Sequence, residues 1–224
     1  MERIPGFMAS AYDKAASMAI GSYYSVVADE IISAIDSGII LDLGTGPGYL
    51  PVEIVKRAPA IRVVGIDLTP RLIKIARENS AQAHVADRVD FEVMSAVKLR
   101  FENETFDMVF SSGMLHALRS PDKVSQVMRE CYRVLKPGGE AWIYDPARIH
   151  SGIEIRSWKS LLTLRERLLF KFFTLYQWFN PPHYYHHPEF VKIIAATDFS
   201  FRRIEEKNGE IKIKLRKGPP ASSP

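Results

Sequence analysis

A glycine-rich segment carries the most specific chemical pattern in the sequence. Three glycines, Gly44, Gly46 and Gly48, alternate with other residues in segment 41–49, which reads Leu-Asp-Leu-Gly-Thr-Gly-Pro-Gly-Tyr. An apolar run typical of a strand precedes the glycines, and an amphipathic stretch typical of a helix follows them. Glycines in such a turn let a ligand approach the bare backbone at the carboxyl edge of a sheet. A tight strand-to-helix turn without a ligand is the alternative interpretation.

The spacing between Asp67 and the glycine segment strengthens the interpretation that this segment binds a ligand. Asp67 ends the next apolar run, 19 residues beyond Gly48. An acid about 20 residues after a glycine loop binds a ribose diol in nucleotide-binding folds, because a carboxylate accepts hydrogen bonds from both hydroxyls. An acid after a strand can also cap the following helix, and segment 67–70 (Asp-Leu-Thr-Pro) fits that role too. The loop and the acid together indicate a ligand that carries a nucleoside.

The glycine spacing and a second acid narrow the identity of that ligand. Dinucleotide-binding folds use Gly-x-Gly-x-x-Gly, which presents helix amides to a pyrophosphate, whereas this chain has Gly-x-Gly-x-Gly. Asp42 lies two positions before the first glycine. A carboxylate there would repel a pyrophosphate, but it suits a ligand with a positive sulfonium and an ammonium group. The pattern therefore predicts S-adenosyl-L-methionine as the cofactor.

Alternating apolar and amphipathic stretches predict the elements that hold these residues. Strands are expected at 38–43, 61–67, 89–93, 106–110, 140–144, 201–206 and 210–216, and helices near 50–57, 70–79, 122–135 and 188–197. The Lys-Pro-Gly-Gly segment at 136–139 is expected to separate a helix from the fifth strand. This order is typical of an α/β fold with a doubly wound, mostly parallel seven-stranded sheet (Rossmann-like).

Length and composition favour one domain, residues 1–224. A chain of this length, 46% hydrophobic and 25% charged, can bury a core without disulfides or a structural metal. Cys131 is the only cysteine, which fits a reducing interior, and we expect it to be a small buried side chain on a helix. The sequence shows neither a signal-peptide pattern nor about 18 consecutive apolar residues, so we expect a cytoplasmic protein.

The composition changes after the fifth strand, and we expect residues 151–187 to form a helical cap within this domain. Residues 156–187 hold nine of the 24 aromatic residues and five basic residues against one acid, a net charge equal to the +4 of the whole chain. An apolar helix at 161–179 fits three roles: lining a hydrophobic substrate pocket, peripheral contact with a membrane, or packing in the core or a subunit interface. A monomer and a homodimer both fit.

The sequence resembles the class I S-adenosylmethionine-dependent methyltransferases, in particular the branch of ubiquinone/menaquinone-type small-molecule enzymes. The resemblance rests on four segments in order: 41–48, Gly65-Ile66-Asp67, 106–112 (Phe-Asp-Met-Val-Phe-Ser-Ser) and 133–139 (Arg-Val-Leu-Lys-Pro-Gly-Gly). It covers residues 10–145 well and the remainder weakly.

The resemblance implies a set of cofactor contacts. They are Gly44 and Gly46 at the methionine portion with Asp42 below them, Asp67 at the ribose, Leu68 at the adenine, the Ser111 carbonyl at the ammonium group, and Tyr12 as a lid. The family often has Gly-Asp-Ala after the third strand, where this chain has Met94-Ser95-Ala96. The Ser95 hydroxyl or the Ala96 backbone would then take over the missing carboxylate's contact with the adenine amino group.

Methyl transfer from a sulfonium requires a base only when the acceptor arrives protonated. His116 is the first candidate for that base, because it follows the fourth strand toward the reacting face and its residue type titrates near neutrality. A packing or helix-terminal histidine is the alternative. Asp145 and His150 are weaker candidates, and Asp145-Pro146 equally fits a turn.

Segment 181–188 (Pro-Pro-His-Tyr-Tyr-His-His-Pro) is a candidate for substrate contact. We expect Tyr184, Tyr185 or His186 to touch the acceptor, with plain packing as the alternative. No metal is expected, since no cysteine or pair of carboxylates adjoins the histidines.

The sequence thus predicts methyl transfer by in-line displacement to a small, apolar or aromatic acceptor. One alternative is a methyltransferase that acts on RNA or protein. Nucleic acid is disfavoured because the basic residues interleave with Leu and Phe and no known RNA-binding module is present. An alternative of another class is a catalytically silent S-adenosylmethionine-binding or scaffold protein.

Overall fold

A single seven-stranded sheet organises the protein in a computed structural model that describes residues 4–17, 23–146, 181, 183–207 and 209–219. The strands are β1 (Gly38–Leu43), β2 (Ile61–Asp67), β3 (Val89–Val93), β4 (Phe106–Ser112), β5 (Leu135–Pro146), β6 (Phe201–Lys207) and β7 (Glu210–Arg216). The helices are α1 (Ala9–Ser17), α2 (Ser25–Ile32), α3 (Tyr49–Arg57), α4 (Pro70–Gln82), α5 (Pro121–Val134) and α6 (His187–Ala195), with short 3-10 helices at Gly6–Met8 and Leu115–Ala117.

The sheet has the order β3-β2-β1-β4-β5-β7-β6. The first five strands pair in parallel, and β7 pairs antiparallel with both β5 and β6. The direction of winding reverses between β1 and β4, so a crevice opens beyond the carboxyl ends of these two strands. Asp42 of β1 lies in register with Gly65 of β2 and Phe110 of β4, which places Asp42 and Asp67 at this edge.

Two apolar clusters cover the two faces of the sheet. One contains side chains of α2, α3 and α4, and the other contains side chains of α5 and α6. Neighbouring residues of one strand enter opposite clusters, as Ile40 and Leu41 do in β1, since successive side chains of a strand point to opposite faces. This arrangement confirms the doubly wound, Rossmann-like fold, and Cys131 is fully buried in the α5 cluster.

The predicted strands and helices agree with the described ones except around the fifth strand, and the sequence analysis did not predict α1 and α2. We predicted that segment 136–139 would separate α5 from a strand at 140–144, but β5 begins at Leu135 directly after α5. Leu135 pairs with Phe106 and Glu140 pairs with Met108, so a register shift absorbs the intervening Lys-Pro-Gly-Gly inside the strand. The prediction was wrong because a bulge can carry proline and glycine within a strand.

The predicted cap lies largely outside the described residues. Of segment 151–187, the structure describes residue 181 and residues 183–187, so the 161–179 helix and His150 are not among the positions that it places. In the described ranges, no helix is long and apolar enough to cross a membrane.

The turn from the glycine loop into α3 makes a specific demand on Gly48. Its φ of 77° lies in the left-handed region, and an added Cβ would lie 2.7 Å from the Phe91 ring and 2.8 Å from the Ala76 Cβ. Gly138 has a similar φ of 80° but open space around its Cα. Both positions therefore require a left-handed backbone conformation, but only Gly48 also lacks space for a side chain.

We expect Gly48→Ala to reduce the free energy of unfolding by about 1–3 kcal/mol more than Gly138→Ala, because overpacking adds to the left-handed strain that both substitutions cause. Urea denaturation of the two variants beside the wild type measures the difference. Equal losses would show that the α3–α4 packing around Gly48 is looser than described.

Candidate functional site

The glycine loop is tied to β2 by its backbone. The amides of Gly44 and Thr45 both donate to the Ile66 carbonyl, each at 2.9 Å. Gly44 has a φ of 75°, and the side chain of Met114 occupies the place where its Cβ would be, 2.5 Å away. The loop after β1 and the loop after β4 therefore touch at the switch point of the sheet.

Asp67 closes the loop from the other side. Its Oδ2 accepts a hydrogen bond from the Gly46 amide at 3.2 Å, and its Oδ1 accepts one from the Thr69 amide at 2.7 Å. Thr69 is the N-cap residue of α4 and no side chain forms a capping hydrogen bond there, so the contact of Asp67 with Thr69 is a local turn and not a helix cap. Burial raises the pKa of the Asp67 carboxyl, and these hydrogen bonds offset part of that rise.

The second acid of the site is Asp42, and fewer hydrogen bonds stabilise its carboxyl than stabilise that of Asp67. Its side chain is buried, and burial, together with the negative charge of Asp67, raises its pKa from an ordinary 3.8 to about 7. The nearby Thr45 hydroxyl lowers that pKa by more than the charge of Asp67 raises it, so burial is the main cause of the rise. The buried Asp42 and the half-buried Asp67 form no ion pair with a basic side chain among the described residues, so together they suit a ligand that carries a positive charge.

Aromatic side chains from the N-terminal segment cover the loop. A Tyr12 ring carbon lies 3.4 Å from the position of a Cβ on Gly46. The Tyr49 hydroxyl donates to Asp13 at 2.7 Å, which ties α1 to the start of α3. Burial chiefly raises the pKa of Tyr24, and the charges of Tyr12 and Asp42 add to this rise, so Tyr24 belongs to the same surroundings. The sequence analysis found Tyr12 but missed Tyr24 and Tyr49, although Tyr49 directly follows the last loop glycine.

The remaining predicted cofactor residues lie at the same edge. Leu68 is half-buried beside Asp67, and the Met94 amide donates to the Asp67 carbonyl at 3.1 Å. That hydrogen bond brings the half-buried Ser95 and Ala96 next to the end of β2. Ser111 is fully buried, and its hydroxyl donates to the Leu43 carbonyl at 3.0 Å, which joins the ends of β4 and β1.

A second cluster lies at the ends of β4 and β5. The buried Asp145 carboxylate accepts hydrogen bonds from the backbone amides of Leu115 at 3.0 Å and His116 at 2.9 Å. Its Oδ1 also lies 3.3 Å from Nδ1 of the His116 ring. The ring of Tyr184 stacks on His116 with centroids 5.8 Å apart and planes 6° apart, and the His183 amide donates to the His116 carbonyl at 2.9 Å.

The structure divides the predicted substrate contacts. Tyr184 adjoins His116, but the Tyr185 side chain is fully buried and packs against His183 and Phe190, so we now assign it to the core. His186 is exposed and caps α6, where Glu189 completes the capping box. Tyr185 therefore lies in the core, where its hydroxyl has no partner among the described residues, and His186 lies at the start of α6; contact of either side chain with the acceptor stays a prediction.

Sequence reasoning also missed the polar contacts that anchor Tyr23. Its hydroxyl donates to Glu210 at 2.8 Å and receives a hydrogen bond from Ser112 at 3.2 Å. Lys212 bridges Glu210 to Glu30. No local motif reveals this network, because its members come from four separated parts of the chain. As for metals, no group of three or more potential ligands occurs in the part of the chain that the structure describes.

The comparisons with known proteins agree with this geometry. A family model described as a methyltransferase domain matches residues 40–139, which include the loop, Asp67 and His116. We call residues 40–139 the methyltransferase domain, after the family model that they match. The match begins within β1 and ends within β5, so it includes both acids and the His116 turn, whereas Asp145 and Tyr184 follow it.

Curated relatives match about half of the chain. A demethylmenaquinone methyltransferase of Chlorobaculum parvum is 34% identical over 134 residues, 58% of this chain and 52% of the relative. A ubiquinone/menaquinone biosynthesis C-methyltransferase of Cereibacter sphaeroides is 33% identical over 106 residues, 47% of this chain and 41% of the relative. The chain thus spans about half the length of these relatives.

Solved structures extend the likeness of fold beyond the methyltransferase domain. A Methanococcus maripaludis protein described provisionally as an S-adenosyl-L-methionine-dependent methyltransferase has a TM-score of 0.71 at 22% identity, covering 96% of this chain and 94% of that one. The cyclase SpnF has a TM-score of 0.66 at 16% identity, covering 87% and 81%. The second likeness shows that this fold also occurs in a protein named for another reaction.

The raised pKa of the buried Asp42 carboxyl makes the stability of the ligand-free protein depend on pH. A carboxyl whose pKa is about 7 in the folded state and ordinary in the unfolded state binds its proton more tightly when folded. Wild-type stability therefore falls as the pH rises from about 4 to about 7. We expect Asp42→Asn to stabilise the ligand-free protein at pH 8 by a few kcal/mol, with the gain shrinking toward pH 4. Thermal unfolding across this range measures it, and a gain independent of pH would contradict the assigned pKa.

Proposed function

We propose that the protein is an S-adenosyl-L-methionine-dependent methyltransferase that acts on a small acceptor. The observation that carries this proposal is the pair of carboxyls under the glycine loop, Asp42 and Asp67, with burial raising the pKa of each. A ligand that brings an ammonium group and a sulfonium would compensate the charge of Asp42, and its ribose hydroxyls would donate to Asp67. A pyrophosphate would increase the repulsion instead.

Different described residues would bind different parts of S-adenosyl-L-methionine. Asp67 already accepts hydrogen bonds from Gly46 and Thr69, and its remaining lone pairs can accept those of two ribose hydroxyls. Leu68, Ser95 and Ala96 lie beside it, where the adenine would bind. Asp42, Gly44 and the Ser111 carbonyl lie at the ends of β1 and β4, where the methionine portion would bind. Tyr12 covers the loop and would exclude water from the ligand.

The bound cofactor would supply an electrophilic methyl group on a good leaving group. The protein's part is then to hold the acceptor in line and exclude water, which accounts for much of the catalytic effect in such reactions. The acceptor would bind near His116 and Tyr184, whose stacked rings offer an aromatic surface at the carboxyl edge of β4. The relatives named as quinone methyltransferases support a small aromatic acceptor of the quinone type.

A base is part of this proposal. A phenol or an acidic ring carbon is a better nucleophile once its proton is removed, and His116 would remove that proton at the reacting edge. Its side chain is 23% exposed, so the ring is neither sealed in the core nor freely solvated.

Loss of the ribose contact tests cofactor binding. We expect Asp67→Ala to raise the dissociation constant for S-adenosyl-L-methionine at least about tenfold, because hydrogen bonds to a buried charged group contribute about 1.5–3 kcal/mol. Isothermal titration calorimetry measures the constant. Asp90→Ala on β3 is the matched control, since this acid is 70% exposed and lies away from the loop. Equal constants for both folded variants would refute the proposed role.

Loss of the base tests the chemical step. We expect His116→Ala to lower kcat on phenolic acceptors on the order of 100-fold while the dissociation constant for S-adenosyl-L-methionine changes less than about twofold. The reference is the wild type, titrated with the cofactor and assayed on the same acceptors. Unchanged turnover by the variant would remove His116 from the mechanism. Cofactor binding by the wild type without turnover on any acceptor would favour the alternative of a catalytically silent binding protein.

A further inference from the structure

Asp145 is placed unlike a residue that itself removes a proton. Its side chain is only 2% exposed, and both carboxylate oxygens already accept hydrogen bonds from protein N–H groups. A buried carboxylate surrounded by donors has no free path to an acceptor molecule. The sequence analysis considered Asp145 a weak candidate for the base or a turn residue, and the structure supports a different role.

The same contacts fix the residue next to it. Asp145 binds the backbone amides of both Leu115 and His116, so it holds the 3-10 turn that carries the imidazole. It also faces Nδ1 of that imidazole at 3.3 Å. Since a carboxylate can only accept, the ring nitrogen that faces it must carry the proton. The other ring nitrogen, Nε2, is then unprotonated in the neutral ring.

Tyr184 limits the remaining freedom of the ring. Its ring lies parallel to the imidazole, and the backbone amide of its neighbour His183 binds the His116 carbonyl at 2.9 Å. The imidazole is thus held at one edge by Asp145 and on one face by Tyr184. Histidine bases whose second nitrogen is bound in this way have a defined tautomer and orientation.

We propose that Asp145 is a positioning residue that fixes the Nδ1–H tautomer of His116 and so makes Nε2 the proton acceptor, and that the enzyme takes acceptors that arrive protonated. This inference rests on the proposed function. The acceptor class is a phenol or hydroquinone, whose O–H proton is the one to be removed.

The reaction step balances without a further reactant. The acceptor's O–H proton passes to Nε2 of His116 while the acceptor's oxygen or activated ring carbon forms a bond to the methyl carbon. The bond from that carbon to sulfur breaks, and its electron pair stays on sulfur. Asp145 stabilises the resulting imidazolium, which returns the proton to solvent. Where the ring carbon is methylated, its own proton leaves to water and the ring oxygen takes a proton back, so aromaticity is restored and one proton is released overall.

The tautomer can be read directly by NMR on the full chain. In protein labelled with 15N-histidine, we expect the His116 signals, assigned by their loss in His116→Ala, to show a protonated Nδ1 and a bare Nε2 above neutral pH. Asp145→Asn should abolish this preference, because the amide presents one acceptor oxygen instead of two. Glu206→Gln is the matched control, since Glu206 lies 3.7 Å from Nδ1 of the exposed His186 and should leave the His116 signals unchanged.

Measuring kcat and cofactor affinity of Asp145→Asn distinguishes a loss of His116 positioning from a loss of folding. Asp145→Asn should lower kcat on 1,4-dihydroxynaphthalene about 10- to 100-fold with the calorimetric affinity for S-adenosyl-L-methionine within about twofold of wild type. A protonated Nε2 in the wild type would overturn the inference even if Asp145→Asn fails to fold, and so would full turnover by that variant. Absence of cofactor binding by the wild type would instead overturn the proposed function, while the wild-type tautomer would still decide whether Asp145 positions His116.

Discussion

Two neighbouring carboxyl groups, one buried and one half-buried, are the constraint on which the rest of the site depends. Asp42 and Asp67 lie near the carboxyl ends of the paired strands β1 and β2, so the sheet places them at one edge. Backbone amides donate hydrogen bonds to Asp67, whereas burial is the main cause that raises the pKa of Asp42 to about 7. A fold that buried these groups for stability alone would do better with apolar side chains. The arrangement is understandable as a binding site for a cation, which the free protein keeps at a cost in stability.

The two halves of the site are built differently. The cofactor half relies on the backbone, because the loop amides bind the Ile66 carbonyl and Asp67, and Met114 fills the space that a side chain at Gly44 would need. The acceptor half relies on side chains, with Asp145 binding the His116 turn and Tyr184 lying against the ring. Met114 and His116 belong to the same short segment after β4, so this segment connects the two halves of the site. A change in that segment would affect both.

Local pattern was sufficient for the cofactor half and insufficient for the acceptor half. Loop glycines, the strand-ending Asp67 and the alternation of elements are encoded by neighbours in the chain, so the sheet and this edge were predictable. The Asp145–His116 contact spans 29 residues, and the Tyr184 stack on His116 spans 68, so no spacing rule could reveal them. The wrong start of β5 has the same origin, since pairing with β4 outweighed the local tendency of Lys-Pro-Gly-Gly to form a turn.

Proton release on cofactor binding tests the central claim most directly. Near pH 7, calorimetric titration of S-adenosyl-L-methionine in buffers of different ionisation enthalpy counts the protons exchanged per ligand bound. A cation beside Asp42 should lower its pKa from about 7 and release about half a proton from the wild type and none from Asp42→Asn. Binding without proton release, or with equal release from both proteins, would contradict the account.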